Sequence, residues 1–492
     1  MQLKKTALLC AAAFTVMSGS AMATAFDTDT IAQDLLNNPT NGAVTTGHVV
    51  FVSGASAVQK GFVTMIEGMF DGAQPIKYFS KASSKGSATD KANYVAVAGT
   101  LKAGHGAWSN SKTVIIYRVT GGSVYGVNHV ARAESIEMLD VTSTACGSSG
   151  TGTAADPYQC TLTTGIPDAG VSDVAPVLFK SPVNTEGEVP AEALSEAELA
   201  NFASITPIYG LAFGIPVTSN VGSSVKFNRA TVAAIMTGNI GAWSEVDSAE
   251  SGDIVICRRT PGSGTQAVMN LWAGNYPCSA DAQEPADRYA SGAWDEASKT
   301  FTAVNGEGGL IVVENASSDD VVSCLDKAVA GGTYSTKDRS GATVTVDFGN
   351  GGYKAIGVLS MDSLAKSKAA GNWQFRSLDG AGKITWDNTA IAPVTTGTGK
   401  FPTKEAYESG DWDLQGWESF NIPTRTTGAK LDLLNKFVAN AGNPATLASV
   451  SALKNVAMAI PGQPNNYTGA QTLDAVYLNS NQCAPYNRNY ND

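Results

Sequence analysis

The sequence predicts an α/β fold with a mostly parallel sheet. Short β-branched or aromatic runs alternate with amphipathic stretches along the chain, and glycine-rich turns follow several of the predicted strands. The chain has 492 residues, of which 43% are hydrophobic and only 16% are charged. This length allows about two to four domains, each with enough apolar residues to bury a core.

The predicted elements follow one another as strand, turn and helix. Runs rich in valine, isoleucine and aromatic residues predict strands at 48–52, 113–119, 209–217, 253–257 and 354–359. Amphipathic stretches predict helices at 58–70, 228–236, 265–273, 320–328 and 431–441, and residues 174–179 form a further buried segment. Ser318 and Asp319 have side chains that can cap the fourth helix. The stretches 73–110 and 142–164 are predicted to be loops or insertions.

The amino terminus has the pattern of a secretory signal peptide. Two lysines at positions 4–5 precede an apolar stretch at 7–17, and Ala-Met-Ala at 21–23 is a cleavage site. The apolar stretch is too short to span a bilayer, and no later run approaches the ~18–20 apolar residues that a membrane helix needs. We therefore expect residues 1–23 to be a signal peptide, and the mature protein to be periplasmic or secreted, neither lipidated nor inserted in a membrane.

Six cysteines remain after Cys10, which lies inside the apolar stretch of the signal. They are Cys146, Cys160, Cys257, Cys278, Cys324 and Cys483. In an exported protein, an even number of cysteines without CxxC spacing favours disulfides over metal ligation. We predict Cys146–Cys160, which closes a glycine- and serine-rich loop, and Cys257–Cys278, which brackets a glycine-rich turn. The pair Cys324–Cys483 then follows by elimination.

Charge and composition exclude several classes of function. The net charge is -11 and the sequence pI is about 4.9, which argues against nucleic acid as a partner because phosphate backbones are bound by clustered lysine and arginine. The chain has only three histidines and no HExxH motif, so a catalytic zinc is not expected. No metal or other cofactor is predicted.

Four polar turns predict a site for an anion. The turns at 53–57, 120–123 and 259–265 each follow a predicted strand and precede a helix or an apolar segment. A helix N-terminus offers unpaired backbone N–H groups, glycine allows close approach, and serine or threonine adds neutral donors. The fourth turn, at 170–176, places Asp173 beside a serine. A carboxylate facing an oxyanion must accept a proton from it, so Asp173 would favour a protonated anion.

These turns, in this order, resemble the ligand loops of the phosphate-binding proteins of bacterial phosphate ABC transporters. The matching residues are SGAS at 53–56, GGS at 121–123, GVSD at 170–173 and RTPGSGT at 259–265. The segments 228–243, 355–358 and 417–423 are also similar, so the resemblance spans most of 48–445. It implies a two-lobed type II periplasmic binding protein fold, in which two crossing strands join the lobes and the ligand lies between them. Residues 24–205 plus 425–492 would form lobe 1, and residues 206–424 lobe 2.

The resemblance also implies eight ligand-binding residues in the cleft. They supply helix-end amides, hydroxyls, one charge-assisted donor and one proton acceptor: Ser56, Ala57, Ser123, Asp173, Arg259, Ser263, Gly264 and Thr265. Pro261 stands where the family usually has an acidic residue. The loss of that acceptor reduces the expected selection for protonated phosphate, although Asp173 remains.

The function predicted from these features is the binding of phosphate, or a similar oxyanion, by an exported solute-binding protein. The resemblance implies an ABC permease in the inner membrane as its partner. The alternative is an extracellular structural, adhesive or matrix protein that reuses the fold without transport. An enzyme is not expected, because Ser56 and Ser263 have no histidine or lysine in their motifs to act as a base.

Overall fold

The computed structural model describes eleven ranges of the chain, and every structural statement below refers to them. They are residues 48–81, 93–142, 145–146, 150–185, 192–287, 292–306, 309–368, 371–387, 389–390, 392–484 and 486–488. The predicted signal peptide at 1–23 and Cys10 lie outside these ranges. None of the helices within them is both long enough and apolar enough to span a membrane.

The first half of the main sheet is built by strands that come early in the chain. The strands up to residue 172 are β1 (Val49–Gly54), β2 (Lys77–Lys81), β3 (Tyr94–Thr100), β4 (Lys112–Arg118), β5 (Ile136–Leu139), β6 (Tyr158–Cys160), β7 (Leu162–Gly165) and β8 (Ala169–Ser172). Their order across the sheet is β6, β2, β3, β4, β1, β8, while β5 and β7 form a separate antiparallel pair. β1 is parallel to both β4 and β8, so the turns that follow these three strands lie at one edge.

The second half of the sheet contains most of the later strands. The remaining strands are β9 (Phe202–Thr218), β10 (Ile254–Arg259), β11 (Gly292–Asp295), β12 (Thr300–Ala303), β13 (Ile311–Asn315), β14 (Thr333–Lys337), β15 (Thr343–Asp347), β16 (Lys354–Gly357), β17 (Leu359–Ser360), β18 (Trp373–Arg376), β19 (Lys383–Asp387), β20 (Ala392–Thr396), β21 (Gln415–Pro423), β22 (Ala457–Met458), β23 (Ala475–Tyr477) and β24 (Tyr486–Arg488). β10 is parallel to its neighbours β13 and β16, and β11, β12, β15 and β14 form a small separate sheet.

Two long strands, β9 and β21, join the two halves. β9 has 17 residues; its first part pairs antiparallel with β21, and its last part pairs with β16, β17 and β18 of the second half. β21 pairs on its other side with β8 of the first half. The pairing of β9 with β21 shifts register twice, once near its end at 422/423 and once near its centre: Glu418 lies opposite Tyr209 and Ser419 opposite Pro207, so Ile208 forms a bulge.

Helices pack against the main sheet. They are α1 (Gln59–Glu67), α2 (Asn128–Arg132), α3 (Glu196–Leu199), α4 (Arg229–Met236), α5 (Trp243–Val246), α6 (Gly264–Gly274), α7 (Ser318–Ala330), α8 (Lys404–Glu408), α9 (Gly428–Ala441) and α10 (Pro444–Ser449). α1 packs on α9, with the rings of Phe62 and Phe437 4.7 Å apart. Two α/β halves joined by two crossing strands are the predicted fold class, which is confirmed. The lobe boundaries at 205/206 and 424/425 stay a prediction.

Three local predictions were wrong. The stretch 73–110 is not a loop, because β2 and β3 lie in it as an antiparallel pair of the main sheet. The stretch 142–164 likewise contains β6 and most of β7. α7 begins at Ser318, and its cap is Ser317 rather than Ser318 and Asp319: the Ser317 hydroxyl accepts from the Asp320 N–H at 3.1 Å, and the Asp320 carboxylate accepts from the Ser317 N–H.

The disulfides confirm one predicted pair and correct two. Cys146 is bonded to Cys160, but Cys257 is bonded to Cys324 and Cys278 to Cys483. Cys324 lies on the buried face of α7, which packs directly on the strand that carries Cys257. α6, an 11-residue helix about 16 Å long, separates Cys257 from Cys278 and carries the latter away.

Candidate functional site

The carboxyl ends of the parallel strands of both halves meet in one crevice. β1, β4 and β8 end at Gly54, Arg118 and Ser172 in the first half, and β10 and β13 end at Arg259 and Asn315 in the second. The turns that follow carry most of the residues predicted to bind an anion. Ligand crevices of open α/β sheets lie outside the carboxyl ends of the strands, so this is the expected place for a site.

The turns of the two halves touch each other directly. The Val124 N–H donates a 2.9 Å hydrogen bond to the Gly262 carbonyl. The Thr265 hydroxyl donates to Oδ2 of Asp173 at 3.1 Å, and the Asp173 N–H donates to Oγ of Ser123 at 3.3 Å. All three polar side chains are almost fully buried. Hydroxyls of both halves therefore converge on Asp173: the Thr265 hydroxyl contacts its carboxylate and the Ser123 hydroxyl contacts its main-chain N–H.

Glycine at position 264 permits this close approach. A Cβ atom added to Gly264 would lie 2.3 Å from Oγ of Ser123 and 2.7 Å from Cβ of Asp173. Gly122 approaches from the other half, where an added Cβ would lie 3.2 Å from the Gly262 carbonyl oxygen. Side chains at these positions would force the two halves apart. The glycines thus serve tight packing between the halves in addition to freeing backbone amides.

Arg259 is buried at the end of β10, with only 2% of its surface exposed. Its guanidinium donates to the carbonyls of Asn315 and Ala316 at 3.2 and 2.8 Å, and to the Ser318 hydroxyl at 3.2 Å. These contacts fix the guanidinium against the loop between β13 and α7. Its positive charge is close enough to Asp173 to oppose the effect of burial on the pKa of that carboxyl.

Asp173 titrates in an unusual range. Burial raises its pKa to about 6, while the charge of Arg259 and the hydrogen bond from Thr265 act in the opposite direction. Its Oδ1 atom has no partner in ordinary hydrogen-bonding geometry within the described part of the chain. A hydrogen bond with the side chain of Glu418 also lowers the pKa of Asp173, so near neutral pH Asp173 is mostly a carboxylate that accepts from Thr265 and interacts with Glu418.

A second carboxyl group, Glu418, lies beside Asp173 in the middle of β21. Its exposed fraction is 0%, and neither of its oxygens has a partner in ordinary hydrogen-bonding geometry among the described residues. The two carboxyl groups nevertheless interact. Burial, together with the negative charge of Asp173, holds the pKa of Glu418 well above its usual range. The two groups also share a side-chain hydrogen bond, which requires a proton on one of them, and the raised pKa favours Glu418 as the group that keeps it.

A polar cavity of about 60 Å³ lies between the two halves, which exceeds the roughly 10–15 Å³ that a cavity needs to hold a water. The first turn of α1, the first turn of α7 and the segment 361–368 form its walls. Its lining is rich in hydroxyl and charged groups: Ser56, Ala57, Gln59, Asn93, Ser317, Ser318, Asp319, Ser360, Asp362, Ser363 and Lys366. Lys366 bonds to the Asp319 carboxylate across this cavity. The Ser318 hydroxyl connects the cavity to Arg259.

Comparisons with known proteins give similarity to solved structures only. No protein-family model matches the chain, and no curated protein sequence does. The solved structures that resemble it are phosphate-binding proteins. A putative phosphate ABC transporter substrate-binding protein from Clostridium perfringens, with bound phosphate, is 11% identical, with a TM-score of 0.41 over 83% of this chain and 98% of that one.

Two further similar structures come from other organisms. An ABC-type phosphate transport receptor from Vibrio cholerae is 11% identical, with a TM-score of 0.38 over 82% of this chain and 98% of its own. A human phosphate-binding apolipoprotein is 13% identical, with a TM-score of 0.40 over 83% of this chain and 90% of its own.

The eight predicted site residues fall into two groups. Ser123, Asp173, Gly264 and Thr265 are in mutual contact at the junction of the halves, and Ser263 lies next to them as the cap of α6, accepting from the Gln266 N–H at 3.4 Å. Ser56 and Ala57 instead line the polar cavity. Arg259 lies between the groups, because Asp173 is within range of its charge and its guanidinium bonds to Ser318 in the cavity wall.

Sequence reasoning missed Glu418 and the second wall of the cavity. The wall residues Ser318 and Asp319 were interpreted only in terms of helix capping. Glu418 carries a recognisable signal, since it is the one acidic residue in a strand of nine residues that are all buried in the structure. A lone acid in an otherwise buried strand needs a specific reason to be there. The segment 361–368 carries no signal of this kind, because its serines and lysine resemble an ordinary surface turn.

Proposed function

We propose that this chain is an exported oxyanion-binding protein that holds phosphate, or a closely similar anion, between its two halves. The observation that carries the proposal is the meeting of Thr265, Ser123 and Asp173, beside the charge of Arg259, at the carboxyl ends of the parallel strands. These groups supply neutral donors, one buried positive charge and one acceptor. An oxyanion that keeps a proton needs that combination.

The proposed chemistry assigns each group a separate role. Thr265 and Ser263 stand at the N-terminus of α6, where unpaired amides and the helix dipole favour a negative ligand. Arg259 adds a charge that is already desolvated, so its attraction for an anion is little screened by water. The Asp173 carboxylate accepts the hydrogen bond that the protonated ligand donates. Binding is thereby limited to anions that carry a proton near neutral pH.

The direct test is isothermal titration of the mature protein, stripped of ligand by unfolding and refolding, with phosphate at neutral pH and sulfate as competitor. We expect micromolar or tighter binding of phosphate, and little competition from sulfate because it has no proton to donate. Absence of heat with either anion would contradict the proposal.

Asp173→Asn separates selectivity from affinity. The amide can donate to an unprotonated oxygen, so we expect this variant to gain affinity for sulfate relative to phosphate. An unchanged ratio of the two dissociation constants would remove Asp173 from the proposed site. Asp156→Asn is the matched control, because it removes the charge of an exposed acid in the turn that precedes β6.

Export and a permease partner belong to the same proposal. The predicted signal peptide and three disulfides support a location outside the cytoplasm, where disulfides form and persist. A permease would recognise the closed form that the anion stabilises, because a ligand shifts a conformational equilibrium only through its different affinity for the two states. Fractionation of the native host tests the location. Loss of phosphate uptake on deletion of the gene tests the transport role.

One observation favours the alternative of an extracellular structural or matrix protein. The turns of the two halves are packed on each other through Gly264, Ser123 and Asp173, and Pro261 removes an acceptor from the arginine turn. A protein of that class would keep the halves closed by its own contacts and bind no anion. Recovery of the chain from an extracellular sheath, together with no heat on titration with phosphate or sulfate, would support this alternative.

We assign no catalytic role to the crevice. The described residues contain no group of three or more histidine, cysteine, aspartate or glutamate side chains placed to hold a metal ion. Ser56 and Ser263 act in the proposal as hydrogen-bonding groups rather than nucleophiles. Release of phosphate from a generic phosphomonoester by the purified chain would contradict this part of the proposal.

A further inference from the structure

Glu418 is a buried acid for which the proposed site has no role so far. It lies on β21, one of the two strands that join the halves, and its exposed fraction is 0%. A carboxyl group that is fully buried in a strand is costly even when it bonds to another side chain, here Asp173, so its presence requires an explanation. The bulge at Ile208 interrupts the pairing of β9 with β21 directly beside Glu418. Bulges are common next to functional sites, where they redirect a side chain.

The groups around Glu418 come from every element packed against it. Those whose charge interacts with Glu418 are Asp173 at the end of β8, Asp362 on the segment 361–368, Tyr117 on β4, Tyr209 on β9 and Tyr407 on α8. Arg259 interacts with Asp173, the nearest acid of the set. The immediate surroundings of Glu418 therefore hold two other acids and three tyrosines, and the positive charge of Arg259 acts on Asp173.

We propose that Glu418 is a specificity-determining residue of the crevice: it stays a neutral acid beside Asp173, and this neutrality lets an anion enter. The inference rests on the proposed function. If Glu418 were ionised, it would add a second fully buried negative charge beside Asp173, with Asp362 nearby, against the single charge of Arg259. Like charges at such short range repel strongly in a medium of low dielectric constant, so an anion would be excluded. Glu418 thus links anion binding to one proton.

The test compares phosphate binding by the wild-type chain and Glu418→Gln between pH 5 and pH 9.5. Glutamine is nearly the same shape and is neutral at every pH, so it copies the protonated acid. We expect similar affinities at pH 6–7. Above the pKa of the buried pair, wild-type affinity should fall by about tenfold per pH unit, because one proton is linked to binding, while Glu418→Gln should keep its affinity.

Tyr209→Phe is the matched control. Tyr209 lies opposite Glu418 on β9, and its hydroxyl has no hydrogen-bond partner within the described residues, so the change alters the same layer and leaves every acid in place. Its pH profile should follow the wild type. The inference would be overturned if phosphate affinity depended on pH in the same way in the wild type and in Glu418→Gln. It would also be overturned if Tyr209→Phe behaved like Glu418→Gln. Either result would leave the proposed function standing.

A second measurement distinguishes the inference from the proposed function. The native chain binds one proton more than the unfolded chain between the ordinary pKa of glutamate and the raised pKa of Glu418. The stability that this proton provides is complete below the ordinary pKa, and it is lost as pH rises through the raised one. The unfolding free energy of the wild type, relative to Glu418→Gln, should therefore fall with rising pH. A flat difference would overturn the inference. If the difference in unfolding free energy falls with rising pH but the chain binds no anion at any pH, the result would support a protonated Glu418 and overturn the proposed function.

Discussion

The hydroxyl of Thr265 donates a 3.1 Å hydrogen bond to the carboxylate of Asp173 across the junction of the two halves. Thr265 belongs to the first turn of α6 in the second half, and Asp173 follows β8 in the first. The contact therefore depends on the relative position of the halves rather than on either one alone. The presence of this hydrogen bond therefore reports directly whether the two halves are closed on each other.

Thr265→Val should weaken this junction. The valine keeps the shape but leaves Oδ2 of Asp173 without its donor, so we expect the free energy of unfolding at pH 7 to fall by about 1–3 kcal/mol. The pKa of Asp173 should rise further, because the hydrogen bond from Thr265 now lowers it. Thr265→Ser should restore most of the loss. Denaturant unfolding measures the first effect and NMR titration of the carboxyl carbon the second; wild-type values in the valine variant would contradict the contact.

Gly264→Ala should separate the halves. The added methyl group would lie 2.3 Å from the Ser123 hydroxyl oxygen and meet Asp173 on its other side. We expect a loss of about 1–3 kcal/mol in the free energy of unfolding, typical of overpacking, and weaker anion binding. Gly72→Ala is the matched control, because an added Cβ there has no neighbour within 4 Å. Equal melting temperatures for the two variants would show that the junction is loose in solution.

Arg259→Ala should destabilise the chain even without ligand. From sequence the side chain was expected to face solvent or ligand, but its guanidinium is buried and bonded to Asn315, Ala316 and Ser318. We expect a loss of about 1–3 kcal/mol, because the buried carbonyls of Asn315 and Ala316 would lose a charged donor. Thermal melts of the ligand-free chain measure it.

Arg229→Ala provides the comparison for Arg259. Its side chain is 55% exposed and forms an ion pair with Asp413 at 2.9 Å, so its removal should cost only about 1 kcal/mol. If both arginine variants melted alike, Arg259 would have no special structural role.

Removal of the Cys257–Cys324 disulfide should lower the stability of the second half. The bond closes a loop with a sequence separation of 67, which corresponds to about 4 kcal/mol in the chain-entropy treatment. The double variant Cys257→Ala, Cys324→Ala measures this loss by denaturant unfolding. Digestion without reduction should release peptides joined through Cys257–Cys324 and Cys278–Cys483. A peptide joined through Cys257–Cys278 would contradict the structure.

The sequence predicts the strands and helices of this fold well where a local pattern decides them. β1, β10 and α6 follow directly from apolar runs and the turns between them. Features that depend on distant residues could not be read in the same way. The partner of Cys257 is set by the packing of α7 on β10, and the stretch that contains β2 was misread because its lysines and serines resemble a loop, although it is an edge region of the sheet.

In the candidate site, too, local motifs locate some residues, whereas contacts between distant parts of the chain determine the rest. Motifs locate Asp173, Arg259 and Thr265, because each lies in a short glycine-rich turn after a strand. No motif indicates that the guanidinium of Arg259 is fixed by main-chain carbonyls of another strand. The position of Glu418 beside Asp173 likewise depends on the pairing of β21 with β8, which joins residues more than two hundred positions apart in the chain.

The bulge at Ile208 also bears on how the molecule can move. β9 runs unbroken from one half of the sheet to the other, so a rotation of the halves must be absorbed by bending β9 and β21 together. A paired ribbon bends most easily where its ladder of hydrogen bonds is already interrupted, and the more central of the two interruptions lies beside Glu418. The pivot of any opening motion is therefore placed in the same layer as the buried acid, and the crevice would widen by hinging about its own floor.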